Sequence, residues 1–448
     1  LLNLKFKVAM KTKILLLTAL LLATVLLQAQ PSKVLRLEDC LNLALEQNAN
    51  VRNAQTGIQI PEQQQAAIRA GLLPQVNVSG NYQYYLEVPR QMIPASAFGG
   101  PEGQFTAAQF GVPLNLNTSL QATQVLYSKS LLLALRQADT GKEIARLQLR
   151  SAQEDVVYNV SAAFYNAQTL AKQIAFLEGN LASLEKVTQT TRLLAEQQLA
   201  TPVSVQRLQL QQENLHNQVQ NLSDSYTQTL HLLQLLMGIP QTEEIRIDTA
   251  IRVPGSVELA VAPAQRTELQ LLDKQKGINL LEQQRISAEA LPTVAAFGSY
   301  SYAGFGKFGD NSLLRFYPSS AVGMSLQWNL FDGLGRRAKR AQKDLEFRQL
   351  ENRQAFLREN IDMERANAWN NIISGQRALE ASESSVQLAE KVLEQTSLQL
   401  REGLANITDL LNAENALREA QTNYLSALIK LRSAQLEMDK ATGHLLDQ

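Results

Sequence analysis

One cysteine, Cys40, and three widely separated histidines, His216, His231 and His444, are all the thiol and imidazole this chain has. A single cysteine excludes an intrachain disulfide, and the histidines show no ligand spacing for a Cys/His metal site. Excess charge is missing too, since Lys plus Arg and Asp plus Glu each number 42. No basic field exists to collect nucleic acid at long range. Past the first thirty residues there is no run of eighteen apolar residues, so the body of the chain offers no helical membrane span. Proline is absent from Ser128 to Thr201 and again from Gly333 to the end, while Gln, Asn, Ala and Leu recur. That is the composition of long helices, and about 70 residues of unbroken helix measure roughly 105 Å. Catalytic signals are lacking as well. Gly103 and its neighbours form no phosphate loop, no Ser precedes a usable His/Asp pair, and the many Glu sit on amphipathic helices. Neither an enzyme nor a cofactor is expected.

What is present begins with a leader. Met10, Lys11 and Lys13 precede an apolar run from Ile14 to Leu27 that ends in Leu27-Gln28-Ala29. This is the pattern of a secretory signal peptide, with Leu1 to Ala9 an upstream extension and the mature chain starting near Gln30. A membrane anchor would need a longer run. Cys40 lies well beyond the cleavage point, so lipid anchoring is not indicated.

The rest of the chain reads as a duplication. Gln198 to Val205 aligns with Gly403 to Leu410 at an offset of 205, and the same offset pairs Gly238 with Gly443. Leu126-Tyr127-Ser128 aligns with Leu330-Phe331-Asp332 at nearly that offset, and Leu73-Pro74 with Leu291-Pro292 at 218. Each copy reads as short helices, a strand, a loop, a second strand, a very long helix, a turn and a returning helix. The expected organisation is a leader over residues 1–29, a first repeat over 30–238, a linker over 239–263 broken by Pro240, Pro254, Gly255 and Pro263, and a second repeat over 264–448. In the last helix Leu410, Leu417, Tyr424, Leu431 and Met438 stand seven apart, with Ala413, Ala420, Ala427, Ala434 and Ala441 between them. This is an a/d seam. The first copy has Val205, Leu208, Leu215, Val219, Leu222, Tyr226, Leu233 and Leu236, interrupted by Gln212 and Thr229. Antiparallel partners are expected in the segments before each turn, such as Leu379, Val386, Leu393 and Leu400.

Four segments switch to period two. Val76, Val78, Tyr82 and Tyr84 alternate with Gln75, Asn77, Ser79, Asn81 and Gln83, and Leu114, Leu116, Leu120 and Ala122 with Asn115, Asn117, Ser119, Gln121 and Thr123. In the second copy Val294, Ala296, Tyr300 and Tyr302 form one strand. Val322, Met324, Leu326, Trp328 and Leu330 form the next, opposed by Gly323, Ser325, Gln327 and Asn329. An apolar face backed by an uncharged polar one fits a lipid-spanning strand with a wet lumen, and a half-buried sheet in a soluble domain gives the same alternation. The leader favours the membrane. Four strands cannot close on themselves, and an open edge in lipid leaves backbone groups unpaired, so closure must come from other copies. Three copies would supply twelve strands. Tyr82, Tyr84, Tyr300, Tyr302 and Trp328 are the candidate interfacial aromatics, and the Gly- and Pro-rich segments from Tyr85 to Pro113 and from Ala303 to Pro318 suit surface loops.

Several motifs sharpen this. They are Leu35 to Leu41 running into Ala44 to Asn48, the Leu-Pro step before each first strand, and Leu-Phe-Asp-Gly at Leu330 to Gly333. Most specific is the turn Gly403-Leu404-Ala405 followed by Ile407 to Ala413. With these the chain resembles the TolC family of outer-membrane efflux proteins over essentially its whole mature length. The resemblance implies an α+β membrane protein, mostly α. Its homotrimer forms a 12-stranded β-barrel, four strands per chain, continuing into a long periplasmic α-helical coiled-coil barrel. It implies a passive conduit in outer-membrane lipid, whose helical tips dock a periplasmic adaptor (membrane fusion) protein of an inner-membrane transporter, with no nucleic acid involved. The candidate aperture residues are Asp409, Asn412 and Ser204. The family often carries a second acidic residue where this chain has Asn412, and Ser204 is the first-copy equivalent of Asp409, so the acidic ring is reduced. Leu199, Ala200, Thr201, Gly403, Leu404 and Ala405 are the candidate adaptor contacts. Local chemistry explains several of these equally well: Thr201 and Asn406 as helix caps, Pro202 in a first turn, Asp409 at a helix N-terminus and Gly403 as a left-handed turn residue. Arg336, Arg337, Lys339 and Arg340 are either a solvated helix face or a basic group at the membrane rim. A secreted structural trimeric coiled coil without a pore, and a constitutive porin, remain the alternatives.

Overall fold

The computed structural model describes residues 34–198, 200–251, 266–307 and 310–447. The expected leader, Leu199, Pro254, Gly255 and Pro263 lie outside these described residues. In chain order the elements are β1 (Val34–Leu35), α1 (Leu37–Gln47), α2 (Ala49–Ala70), β2 (Gln75–Tyr84), β3 (Arg90–Pro94), β4 (Phe105–Gln109), β5 (Leu114–Tyr127), α3 (Lys129–Glu196), α4 (Pro202–Met237), β6 (Arg246–Ile247), α5 (Thr267–Ala288), β7 (Thr293–Lys307), β8 (Asp310–Gln327), α6 (Gly335–Arg401) and α7 (Ile407–Thr442). The long helices match in pairs, 68 and 67 residues for α3 and α6 and 36 each for α4 and α7. None of the described helices is long and apolar enough to cross a membrane.

Two compact units emerge. One comprises the described residues up to Gln55, Gln148–Gln270 and Phe356 onward. Its core is coiled-coil packing. On α7 the heptad positions Leu410, Leu417, Leu431 and Met438 and all five alanines between them are buried. Of these, Ala427, Leu431, Ala434 and Met438 pack with Ala368, Ile372 and Leu379 of α6, the helix before the turn. Gly375 lets the two helices approach closely, because a Cβ there would stand 3.3 Å from the Leu431 Cα. Around α4, Leu208 and Leu215 pack with Leu177 and Leu184 of α3. Thr229, an interruption of the seam in sequence, is buried nonetheless, since its hydroxyl donates to the Ser225 carbonyl at 2.9 Å. A third cluster joins α1 to the middle of α3 through Cys40, Ala44, Val160 and Phe164, all at most 2% exposed. Burial pushes the Cys40 thiol up to about 12, so it serves as packing rather than as a nucleophile.

The short parallel pair β1 and β6, Val34 opposite Arg246, lies in this same unit. The linker therefore contains a regular element that the prolines concealed in sequence. Gly238 ends α4 with φ +73°, and a Cβ there would lie 2.6 Å from the Gln47 carbonyl oxygen. Only glycine meets both the left-handed backbone and the contact with α1.

The second unit comprises Thr56–Leu147 and Leu271–Ala355. It holds a four-stranded antiparallel sheet in the order β2-β5-β7-β8. β2 matches the alternating segment residue for residue, while the other strands correct the sequence reading. The expected loop from Ala303 to Pro318 is mostly strand, with β7 running to Lys307 and β8 beginning at Asp310. Pro318 pairs with Tyr302 inside β8, the outermost strand of the chain's own sheet, where a missing backbone donor is tolerated. Gly304 makes room for the Phe316 ring, 2.7 Å from where a Cβ would lie. β8 also stops at Gln327, leaving Trp328 and Leu330 beyond the strand. The expected loop from Tyr85 to Pro113 carries the hairpin β3–β4, its base closed by the Tyr85 amide donating to the Pro113 carbonyl at 2.7 Å.

Candidate functional site

Register decides the chemistry of the sheet. Directly paired residues share a face, so Val76, Ala122, Gly298 and Val322 form one cross-sheet row, and Val78, Leu120, Tyr300 and Ser320 the next. Val78 is 72% exposed and Val322 91%. A bare valine face of this kind suits lipid. The opposite face is uncharged in its central rows: Asn77, Gln121, Ser299 and Ala321, then Ser79, Ser119, Ser301 and Ser319. Hydroxyls in the serine row pair across strands, Ser79 with Ser119 at 2.8 Å and Ser301 with Ser319 at 2.7 Å. β2 and β8 each leave one edge free of partners among the described strands.

The aromatics on this sheet divide into rim and centre. Tyr84 closes β2 with Tyr82 one step inside it, and Trp328 follows β8, its Nε1 donating to the Ala290 carbonyl at 2.9 Å. Tyr300 and Tyr302 instead stand near the middle of β7, joined by a hydroxyl hydrogen bond of 3.1 Å. Sequence alternation could not separate these two positions, because it carries no depth. Beyond β8, the Asp332 carboxylate accepts from the Arg336 amide at 2.7 Å and from its Nε at 3.0 Å. Those bonds hold Asp332 below its usual range and give the Leu-Phe-Asp-Gly motif a local role as the cap of α6. Arg336 is thereby engaged, whereas Arg337, Lys339 and Arg340 are exposed.

The turns between long and returning helices differ in detail. In the second, Asn406 Oδ1 accepts from the Asp409 amide and the Asp409 carboxylate from the Asn406 amide, both at 3.0 Å. This capping box ties Asp409 to the helix start. Asp409 and Asn412 are exposed, and Leu404 is 76% exposed beside Gly403 and the half-buried Ala405. In the first turn Thr201 Oγ1 accepts from the Ser204 amide at 3.3 Å, with Pro202 opening α4 and Ala200 half-buried before it. Arg207 Nη1 donates to Thr408 Oγ1 at 3.5 Å, a link between the two returning helices that spacing alone did not suggest.

Gly403 adopts φ +77° and Gln198, its first-copy counterpart, φ +63°. A side chain in that region costs about 1–2 kcal/mol. Gln198→Gly should therefore stabilise the chain by about 1 kcal/mol once the looser unfolded chain is counted. Chemical denaturation followed by circular dichroism measures this, and no gain would mean the first turn is not strained.

Glu414, also missed in sequence, lies one turn beyond the capping box on α7. One of its carboxylate oxygens is buried without a hydrogen-bond partner, and burial pushes its pKa up to about 7 against a weaker opposing pull from Arg418.

An apolar sheet face, an uncharged opposite face, open sheet edges and paired coiled-coil hairpins define a membrane channel protein built from strands and long helices. The chain belongs to the outer membrane efflux protein family, whose sequence model matches residues 40–239 and 287–444. It is 23% identical over 398 residues to the outer membrane protein TolC of Vibrio cholerae serotype O1, covering 85% of this chain and 84% of that protein. Its fold is similar to that of the Campylobacter jejuni CmeC outer membrane channel, with TM-score 0.72, 13% identity, and 91% of this chain and 85% of that one covered. The open-state MtrE outer membrane channel of Neisseria gonorrhoeae gives TM-score 0.70 at 18% identity, with 92% and 89% covered. The protein is an outer-membrane efflux channel.

Proposed function

We propose that this chain works as a homotrimer, a passive conduit completing a tripartite efflux or type I secretion system. Three sheets pair edge to edge, β8 of one copy beside β2 of the next, and close twelve strands around a wet lumen. The observation that carries this reading is the exposed apolar face of a sheet whose two outer edges have no partner among the described strands. Such a sheet is costly in water and cannot remain open in lipid. The same face counts against the secreted coiled-coil alternative. Trp328, Tyr82 and Tyr84 serve as rim anchors in outer-membrane lipid, and Tyr300 and Tyr302 lie deeper on the lipid side. The helical tips reach into the periplasm. There Leu199, Ala200, Thr201, Gly403, Leu404 and Ala405 meet a periplasmic adaptor protein, which couples the channel to an inner-membrane transporter. Asp409, Asn412 and Ser204 line the aperture.

Opening is a separation of these tips, with the alanine positions of the seams permitting helix movement at modest packing cost. Cysteines introduced as Ala200→Cys and Asp409→Cys test this, because cross-linking them between copies should hold the aperture shut and abolish adaptor-stimulated conductance in a planar bilayer. Unchanged export through the cross-linked assembly would overturn the tip mechanism. High conductance without an adaptor would favour a constitutive porin, and release of the mature chain without detergent would overturn the barrel.

A further inference from the structure

Within the unit that carries the sheet, α3, α5 and α6 enclose a groove of about 500 Å³ that no step of the conduit uses. Three cations line it, Lys129 and Arg136 from α3 and Arg340 from α6, and no carboxylate is among the lining residues. Lys129 and Arg136 are seven residues apart, two turns along one face of α3. Among the described residues none of the three forms an ion pair, although acids are close in sequence. Asp139 pairs with Lys142 at 3.6 Å and Asp344 with Arg348 at 3.1 Å, Glu282 of α5 and Glu289 just past it are taken by Arg285 at 2.6 and 3.6 Å, and Asp332 is taken by Arg336 at 3.0 Å. Three positive charges are thus gathered from two helices without a direct ion pair among the described residues.

The remainder of the groove is apolar. Leu133 and Ala288 form a buried floor, while Leu280 and Leu291 line it at 45% and 46% exposure. Its upper end coincides with the end of the strands, since Lys129 follows Tyr127 of β5 by two residues and Leu291 precedes Thr293 of β7 by two. A soluble anion would account for the cations but not for exposed leucines beside the ends of the strands. An amphiphile accounts for both.

We propose that this groove binds the phosphate headgroup of an anionic phospholipid, one molecule per chain, with its acyl chains running up the apolar face of the sheet. The site rests on reading that sheet as membrane-spanning. Basic side chains at a membrane surface each contribute about 1 kcal/mol toward an anionic headgroup, so removing three should lower retention by well over tenfold.

The test uses the full chain reconstituted in phosphatidylcholine vesicles containing phosphatidylglycerol, then extracted and weighed by native mass spectrometry. The unaltered protein should retain phosphatidylglycerol selectively. A triple variant, Lys129→Gln with Arg136→Gln and Arg340→Gln, should lose it, and Arg136→Gln alone should lose it several-fold, which guards against collective misfolding. Arg365→Gln, at an exposed ion pair with Asp362 in the other unit, should retain it. Equal retention in the triple variant would overturn the site. So would displacement of the lipid by inorganic phosphate, which would make it a site for soluble anions, or altered passage of an anionic cargo with lipid retention unchanged. Planar-bilayer conductance of the triple variant should persist; if the unaltered chain itself neither inserts nor conducts, the membrane reading of the sheet is what fails.

Discussion

Leu431→Ala is expected to cost about 3 kcal/mol of stability, within the range of about 2–5 for emptying a buried leucine site. Leu431 is 2% exposed, and it packs with Ala368, Ile372 and Leu379 across the α6–α7 crossing. Its backbone is also where Gly375 makes its close approach. The neighbourhood cannot collapse easily, because the alanines at the companion positions already bring the helices together. Gly375→Val attacks the same crossing from the other side, since its side chain must push against the Leu431 backbone, and it should destabilise by about 1–3 kcal/mol. The two changes are not independent. In the double variant the valine fills part of the space left by leucine, so its loss should fall short of the sum by about 1 kcal/mol. Denaturant titration of helical ellipticity gives all three values. Strict additivity would show that the seam does not bring these residues together.

The second large effect is a pH dependence, and it comes from Glu414. Its carboxyl titrates near 4.5 when unfolded and at about 7 when folded, chiefly through burial, with one oxygen lacking a partner. Arg418 offsets this only weakly and is itself engaged, its Nη2 donating to Asn415 Oδ1 at 2.5 Å. Because the raised pKa belongs to the folded state, that state holds the extra proton between these two values. The stabilisation is therefore full below pH 4.5 and is lost as pH rises through 7. Full conversion of the shift gives about 3 kcal/mol; partial contact with solvent reduces this to roughly 1–2. Glu414→Gln should stabilise the chain by that amount at pH 8 and flatten its stability profile between pH 4.5 and 7. Urea midpoints measured across this range are the check. A profile that keeps its slope in the variant would place the titrating group elsewhere.

The two effects differ in how far the sequence foretold them. Leu431 was legible, because a heptad seam is a local periodicity and helix geometry turns it directly into a buried stripe. The capping box at Asn406 and Asp409 and the alternation of β2 were legible for the same reason. Glu414 was not, because it is one of many glutamates on an amphipathic helix, and only the packing of its neighbours removes one oxygen from water.

Reading loops from Gly and Pro failed at Ala303 to Pro318. Proline forbids a donor but not a strand, and whether a donor is needed depends on which strand lies at the edge. The central position of Tyr300 and Tyr302 was hidden for a related reason, since alternation gives the face of a residue but not its height.

By itself the sequence determined the duplication, the long helices with their seams, the four alternating strands and the capped turns, because each is written in residues close enough in the chain to share one element. Only the tertiary structure decided that β5 of the first repeat pairs with β7 of the second, that Arg207 reaches Thr408, and that Lys129, Arg136 and Arg340 face one groove without an acid. These join residues distant in the chain. Their positions follow from packing and from the charges left over once nearer ion pairs have formed, and no local pattern encodes either.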